Sequence, residues 1–175
     1  MRITCKQSKM LFINLVLLFV HGVTTSQAQQ SIKIAGRHTL VTIKEYMIEV
    51  GDTVDHIISL NEYEGRNVST GENKFMDGAL DIGMTFADIV KGRGPHEGYG
   101  NFSLNGDTIF WKHEGKIDTT LSSEGKSDTT VEGTFTYTKG TGKYQNIQGS
   151  GTYKGKSISK RIMVVDWQGE YFIKK

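Results

Sequence analysis

The sequence predicts an all-β fold, a closed antiparallel β-barrel of about eight strands behind an N-terminal signal peptide, and three observations carry that expectation. Segments rich in Val, Ile, Thr, Tyr and Phe recur along the chain with turn residues between them. The eighteen residues from Thr138 to Gly155 hold five glycines between two such segments, as a strongly curved sheet needs where its strands turn or bend. Outside the N-terminal apolar run, no segment shows capped apolar residues at helical spacing.

Taken in order, the chain opens with Arg2, Lys6 and Lys9 and no acid, then an apolar run from Met10 to Val20, then Thr24-Thr-Ser-Gln-Ala28. That is the layout of a secretory signal peptide, with Ser26 and Ala28 as the small residues before a cleavage point. An uncleaved membrane anchor would want about twenty apolar residues, and no cysteine follows the run to carry a lipid. The sequence therefore divides into 1–28, a signal peptide, and 29–175, a single β-barrel domain with no membrane span after cleavage, secreted or periplasmic. Cleavage removes the lone Cys5 and turns the formal charge from +2 to −1. The mature chain has no disulfide to lean on and no basic field for nucleic acid, so nucleic-acid partners are not expected.

Strand signals then follow at 31–35, 39–50, 53–64, 80–91, 96–105, 108–115, 130–139, 149–154, 159–167 and 170–173. Gly51-Asp52 and Asn105-Gly106 suit two-residue hairpin turns, Asp166-Trp-Gln-Gly169 suits a third, and the stretch around Pro95 reads as a loop. With one proline and no linker-like tract the chain reads as one domain. A barrel or a two-sheet sandwich disposes of the sheet edges.

Gly140-Thr-Gly142-Lys-Tyr144 followed by Ile147-Gln-Gly149 resembles the Gly-Gly-Thr-Gly-Lys-Phe type of motif in allene oxide cyclase and dirigent proteins, with Lys139 in place of the first glycine. The resemblance implies an eight-stranded antiparallel barrel with this motif late in the chain. It brings no site residue with it, because no position matches the acidic or aromatic site residues of either family. The Gly-x-Trp of lipocalins is absent at Ala35-Gly-Arg-His38.

Candidate site residues come from period-two alternation. Ile109, Trp111 and His113 share one face of their strand; His96, Gly98, Gly100, Phe102 and Leu104 share one of theirs; Val54, His56, Ile58, Leu60 and Glu62 share a third. The expected ligand-binding set is therefore His56, Glu62, His96, Trp111 and His113, lining a barrel interior. Each also has an ordinary reading as core filling, a satisfied histidine or a solvated charge.

Other chemistry finds no pattern. His38, His56, His96 and His113 lack metal-ligand spacing, and no nucleophile signature is present, so no cofactor, metal or catalytic residue is expected. Gly92-Arg-Gly94-Pro-His-Glu-Gly98 precedes a strand, where a phosphate cradle would need a helix. Asn67-Val-Ser69 and Asn101-Phe-Ser103 would accept glycans only in a eukaryotic secretory pathway. The functional expectation is a non-catalytic barrel holding a small apolar or aromatic molecule. A cyclase- or isomerase-like enzyme and a filled structural or interaction barrel stand as alternatives, and cavity volume separates them.

Overall fold

Runs of β-branched and aromatic residues cannot close a helical face but suit a pleated surface, and here they form eight long strands. They are β1 (Ile32–Glu49), β2 (His56–Ser69), β3 (Leu80–Val90), β4 (Arg93–Leu104), β5 (Asp107–Leu121), β6 (Ser127–Gly140), β7 (Ile147–Ser159) and β8 (Ile162–Ile173). The computed structural model describes residues 30–121 and 127–175, so the expected signal peptide lies outside the described residues. Each strand pairs antiparallel with the next, and β8 closes on β1 from Ile32↔Tyr171 to Val41↔Ile162. The result is a closed antiparallel barrel without a free edge. Among the described residues, no helix is long and apolar enough to cross a membrane.

The ten sequence segments become eight strands because two apparent breaks are not breaks. Gly36 and Arg37 continue β1, and Asp166 to Gly169, expected as a turn, lie inside β8. Gly36 is needed there for close approach: a Cβ at this position would strike the Trp167 ring and Asn67 Oδ1. Pro95 sits in β4 and not in a loop. The β3–β4 pairing runs to Ala87↔His96 and resumes at Val90↔Arg93, passing over Gly94 and Pro95, which tolerates the missing N–H.

Of the hairpins, Asn105-Gly106 has positive φ at both residues (52° and 85°), as a two-residue primed turn requires. Lys91-Gly92 forms another of the same kind, with φ of 53° and 80°. The expected Gly51-Asp52 turn is instead a six-residue connection, 50–55, entered by Gly51 (φ 78°) and left by Asp55 (φ 58°). The glycine-rich motif joins β6 to β7 through a 3-10 turn (Gly142–Tyr144), with Asn146 at φ 62°.

One barrel end is closed by the β2–β3 connection. Its Phe75, Met76 and Ala79 are buried, and Phe75 packs on Tyr137, Tyr144, Trp167 and Tyr171. The other end carries the β1–β2, β3–β4 and β7–β8 hairpins.

Candidate functional site

Large rings fill the closed half of the interior and determine which face of every strand turns inward. Tyr63, Phe102, Trp111, Phe135, Tyr137, Tyr153 and Trp167 are all buried. Rings of this size leave room only for small neighbours, so β3 turns Asp81, Gly83, Thr85 and Ala87 inward and exposes Ile82, Met84 and Phe86. On β5, Trp111 lies across Gly100 of its β4 partner, where a Cβ would meet the indole.

Above these rings lies a cavity of about 170 Å³ extending toward the hairpin end. Leu40, Ala87, Ile117, Val131, Met163 and Val165 form its apolar wall, and His38, His96 and His113 are among its polar side chains. No Lys, Arg, Asp or Glu is among the residues that line it.

The structure brings three of the five expected residues together. His96, Trp111 and His113 face this cavity from β4 and β5, with 5.5 Å between the two imidazole centroids and 5.4 Å from Trp111 to His113. The other two expectations are corrected. β2 turns Ser59, Asn61 and Tyr63 inward, one residue out of step with the expected set. Glu62 therefore faces outward and pairs with Lys44 at 3.1 Å. His56 stands at the start of β2 between Asp52 and Asp88, with Nδ1 2.5 Å and Nε2 2.8 Å from their carboxylates. The apolar residues Ile58 and Leu60 point to the opposite register, but on this strand the ring of Tyr63 and the small Ser59 and Asn61 fit the ring-filled interior.

Burial controls the histidines that remain. Desolvation, with a smaller contribution from neighbouring His96, pushes the His113 pKa down to about 4. Desolvation also lowers His96, against the opposing effect of the Glu132 carbonyl. His96 Nε2 shares a 2.9 Å hydrogen bond with the Tyr153 hydroxyl, whose own pKa burial raises. His113 Nε2 lies 3.2 Å from Thr85 Oγ1. Both imidazoles are thus neutral at pH 7, and they carry no attraction for an anion.

Several buried polar atoms have no hydrogen-bond partner from the protein: His38 Nε2, Asn61 Oδ1, Trp111 Nε1, His113 Nδ1 and Tyr137 Oη. All five belong to residues lining the cavity. Such groups are costly to bury unmatched, and a cavity rich in them is disposed to accept a molecule with a few matching polar atoms.

Alternation did not single out His38, Tyr63, Asn67, Asp81, Tyr137 or Tyr153. His38 had a usable signal, since Ile34, Gly36, His38 and Leu40 alternate once β1 is read as one strand. Asn67 lies in a glycosylation pattern yet is wholly buried, so the folded barrel offers it to no glycan.

Solved structures similar to this chain include two pterocarpan synthase dirigent proteins. One matches 97% of this chain and 100% of its own at 13% identity, with a TM-score of 0.48. The second matches 85% and 97% at 14% identity, with a TM-score of 0.45. The chain is similar to a dirigent-like barrel. At these values the likeness carries no argument about site or activity. No protein-family model and no curated protein matches the chain.

Proposed function

We propose that the protein is an exported, non-catalytic barrel that holds a small neutral apolar or aromatic molecule in its interior. The observation that supports this reading most directly is the cavity of about 170 Å³, walled by apolar and aromatic side chains, free of Lys, Arg, Asp and Glu, and edged by unmatched polar atoms. A barrel packed solid would have favoured a purely structural role. Drug-sized ligands occupy pockets of about 300–1,000 Å³, whereas an apolar cavity of about 150 Å³ accepts benzene. The size therefore suits a single ring with a short substituent. His96, Trp111 and His113 contact it from one side of the barrel, with Trp167 beneath.

Titration of the mature protein with toluene and with indole, read by tryptophan fluorescence, tests the reading. A ligand of about seven to nine heavy atoms should bind with Kd between about 10 μM and 1 mM. The saturable change should shrink in Trp111→Phe, which removes the indole facing the cavity and leaves Trp167 as reporter. No saturable change with either compound would overturn the proposal in favour of a structural barrel.

A further inference from the structure

One pair of side chains at the floor of the cavity is chemically unlike the rest of its lining. His38 on β1 and Asp81 on β3 approach across β2, with Nδ1 2.9 Å from Asp81 Oδ2 and side chains only 9% and 0% exposed. Among the described residues, His38 is the only ionisable side chain at ion-pair distance from this carboxylate. The imidazole is held edge-on to Phe102 at 5.0 Å and tilted against Trp167 at 5.7 Å, so its plane is fixed. His38 lines the cavity and Asp81 does not.

A carboxylate this deeply buried favours a proton on the nitrogen that faces it, here Nδ1 at 2.9 Å, by charge attraction: the approach lies off the line of a hydrogen bond, and neither Asp81 oxygen has a hydrogen-bond partner from the protein. Placing the ring proton there leaves Nε2 with a lone pair, by the same logic through which a carboxylate fixes the tautomer of a metal-bound or catalytic histidine. That Nε2 is buried and has no partner from the protein. It can accept a hydrogen bond from a ligand O–H; it cannot donate one to a ligand carbonyl.

Resting on the reading of the cavity as a ligand site, we propose that His38 Nε2, positioned by Asp81, recognises a hydroxyl group, so that the cavity selects a neutral aromatic alcohol over a hydrocarbon or aldehyde of the same ring size. Asp81 acts only through His38 and is a positioning residue. One added hydrogen bond to a buried acceptor should favour the alcohol by about tenfold.

The test compares benzyl alcohol, toluene and benzaldehyde on the mature protein by calorimetry or tryptophan fluorescence. Benzyl alcohol should bind about tenfold more tightly than either of the others. The double variant His38→Phe, Asp81→Leu removes both partners together and leaves no buried unpaired charge. In it the ratio of benzyl alcohol to toluene affinity should fall from about tenfold to about one, whatever the absolute affinity for toluene. Long-range ¹⁵N correlation spectra of the wild-type protein give a readout that needs no variant. His38 should be in the Nδ1–H form, and its Nε2 signal should move with benzyl alcohol but not with toluene. Toluene binding with no alcohol preference would overturn the role of His38 and leave the cavity reading standing. Binding of none of the three would overturn both. Preferred binding of benzaldehyde would assign recognition to the donors Trp111 and Tyr137, and an Nε2–H tautomer or an alcohol preference that survives in the double variant would equally overturn the proposal.

Discussion

Trp167 Nε1 donates a 3.1 Å hydrogen bond to Asn67 Oδ1, joining β8 to β2 beneath the cavity floor. The same Asn67 donates through Nδ2 to the carbonyls of Phe75 and Met76 at 3.1 and 2.9 Å. One amide thus satisfies the indole and pins the connection that closes the barrel. Asn67→Ala should cost about 3–5 kcal/mol, because an indole N–H and two carbonyls lose their buried partner at once. Urea unfolding monitored by tryptophan fluorescence measures it, and a loss below about 1 kcal/mol would refute the assignment.

His56 is the second expected consequence. Its hydrogen bonds to Asp52 first and Asp88 second raise its pKa above the ordinary histidine value, and Asp52 is lowered chiefly by the same hydrogen bond. A raised folded pKa gives stability that is complete below the unfolded value of about 6.5 and is lost as pH rises through the folded one. The lowered Asp52 gives stability present above about pH 3.9 and lost in stronger acid. The gap in Tm between wild type and His56→Ala should therefore be widest between about pH 4 and 6.5 and should narrow toward pH 9. A gap independent of pH would mean that His56 acts by packing alone.

How much of this could be read from the sequence depended on which side chains fill the interior. On β4 and β5, alternating glycines and rings put Gly98, Gly100, Phe102, Trp111 and His113 on the inner face, and pattern and structure agree. On β2 the apolar residues Ile58 and Leu60 lie outside, so hydrophobicity pointed the wrong way and took His56 and Glu62 with it. Glycines mislead in the same manner at Gly36 and Gly169, where they look like turn residues but allow close approach, of the Trp167 ring at Gly36 and chiefly of the Ser150 carbonyl and Gly151 backbone at Gly169. The His38–Asp81 pair was illegible for a different reason. Its members lie on strands that are not neighbours, and only barrel closure brings them together.

His113 supplies a prediction for acid. Its pKa of about 4, set mainly by desolvation, lies below the unfolded value of about 6.5, so the folded state binds fewer protons in that interval. Stability then falls as pH drops from about 6.5 to about 4, by about 3 kcal/mol from this residue, and His96 shifts in the same direction. His113→Gln should flatten that decline while keeping a partner for Thr85. Urea midpoints at pH 7, 5.5 and 4.5 compare the two proteins, and parallel declines would show that His113 is not the group responsible.

Gly100 offers a way to shrink the cavity without replacing any residue that lines it. Gly100 pairs with Trp111 across β4 and β5, and a Cβ at Gly100 would fall within 2.5–2.9 Å of three atoms of the indole. Neither the ring nor the strand can stay in place, and the ring is the freer of the two because one of its sides borders the cavity. Gly100→Ala should therefore move Trp111 inward, at a cost of about 1–3 kcal/mol. It should also shift the emission maximum and weaken toluene binding by at least about tenfold, since space for a single ring is lost. Ala substituted at Gly106 is the matched control: it meets no atom within 4 Å, so its cost comes only from the strained φ of 85° in the β4–β5 turn. That variant should lose comparable stability while binding toluene as wild type does. If the two variants bind equally well, the indole does not border the ligand site.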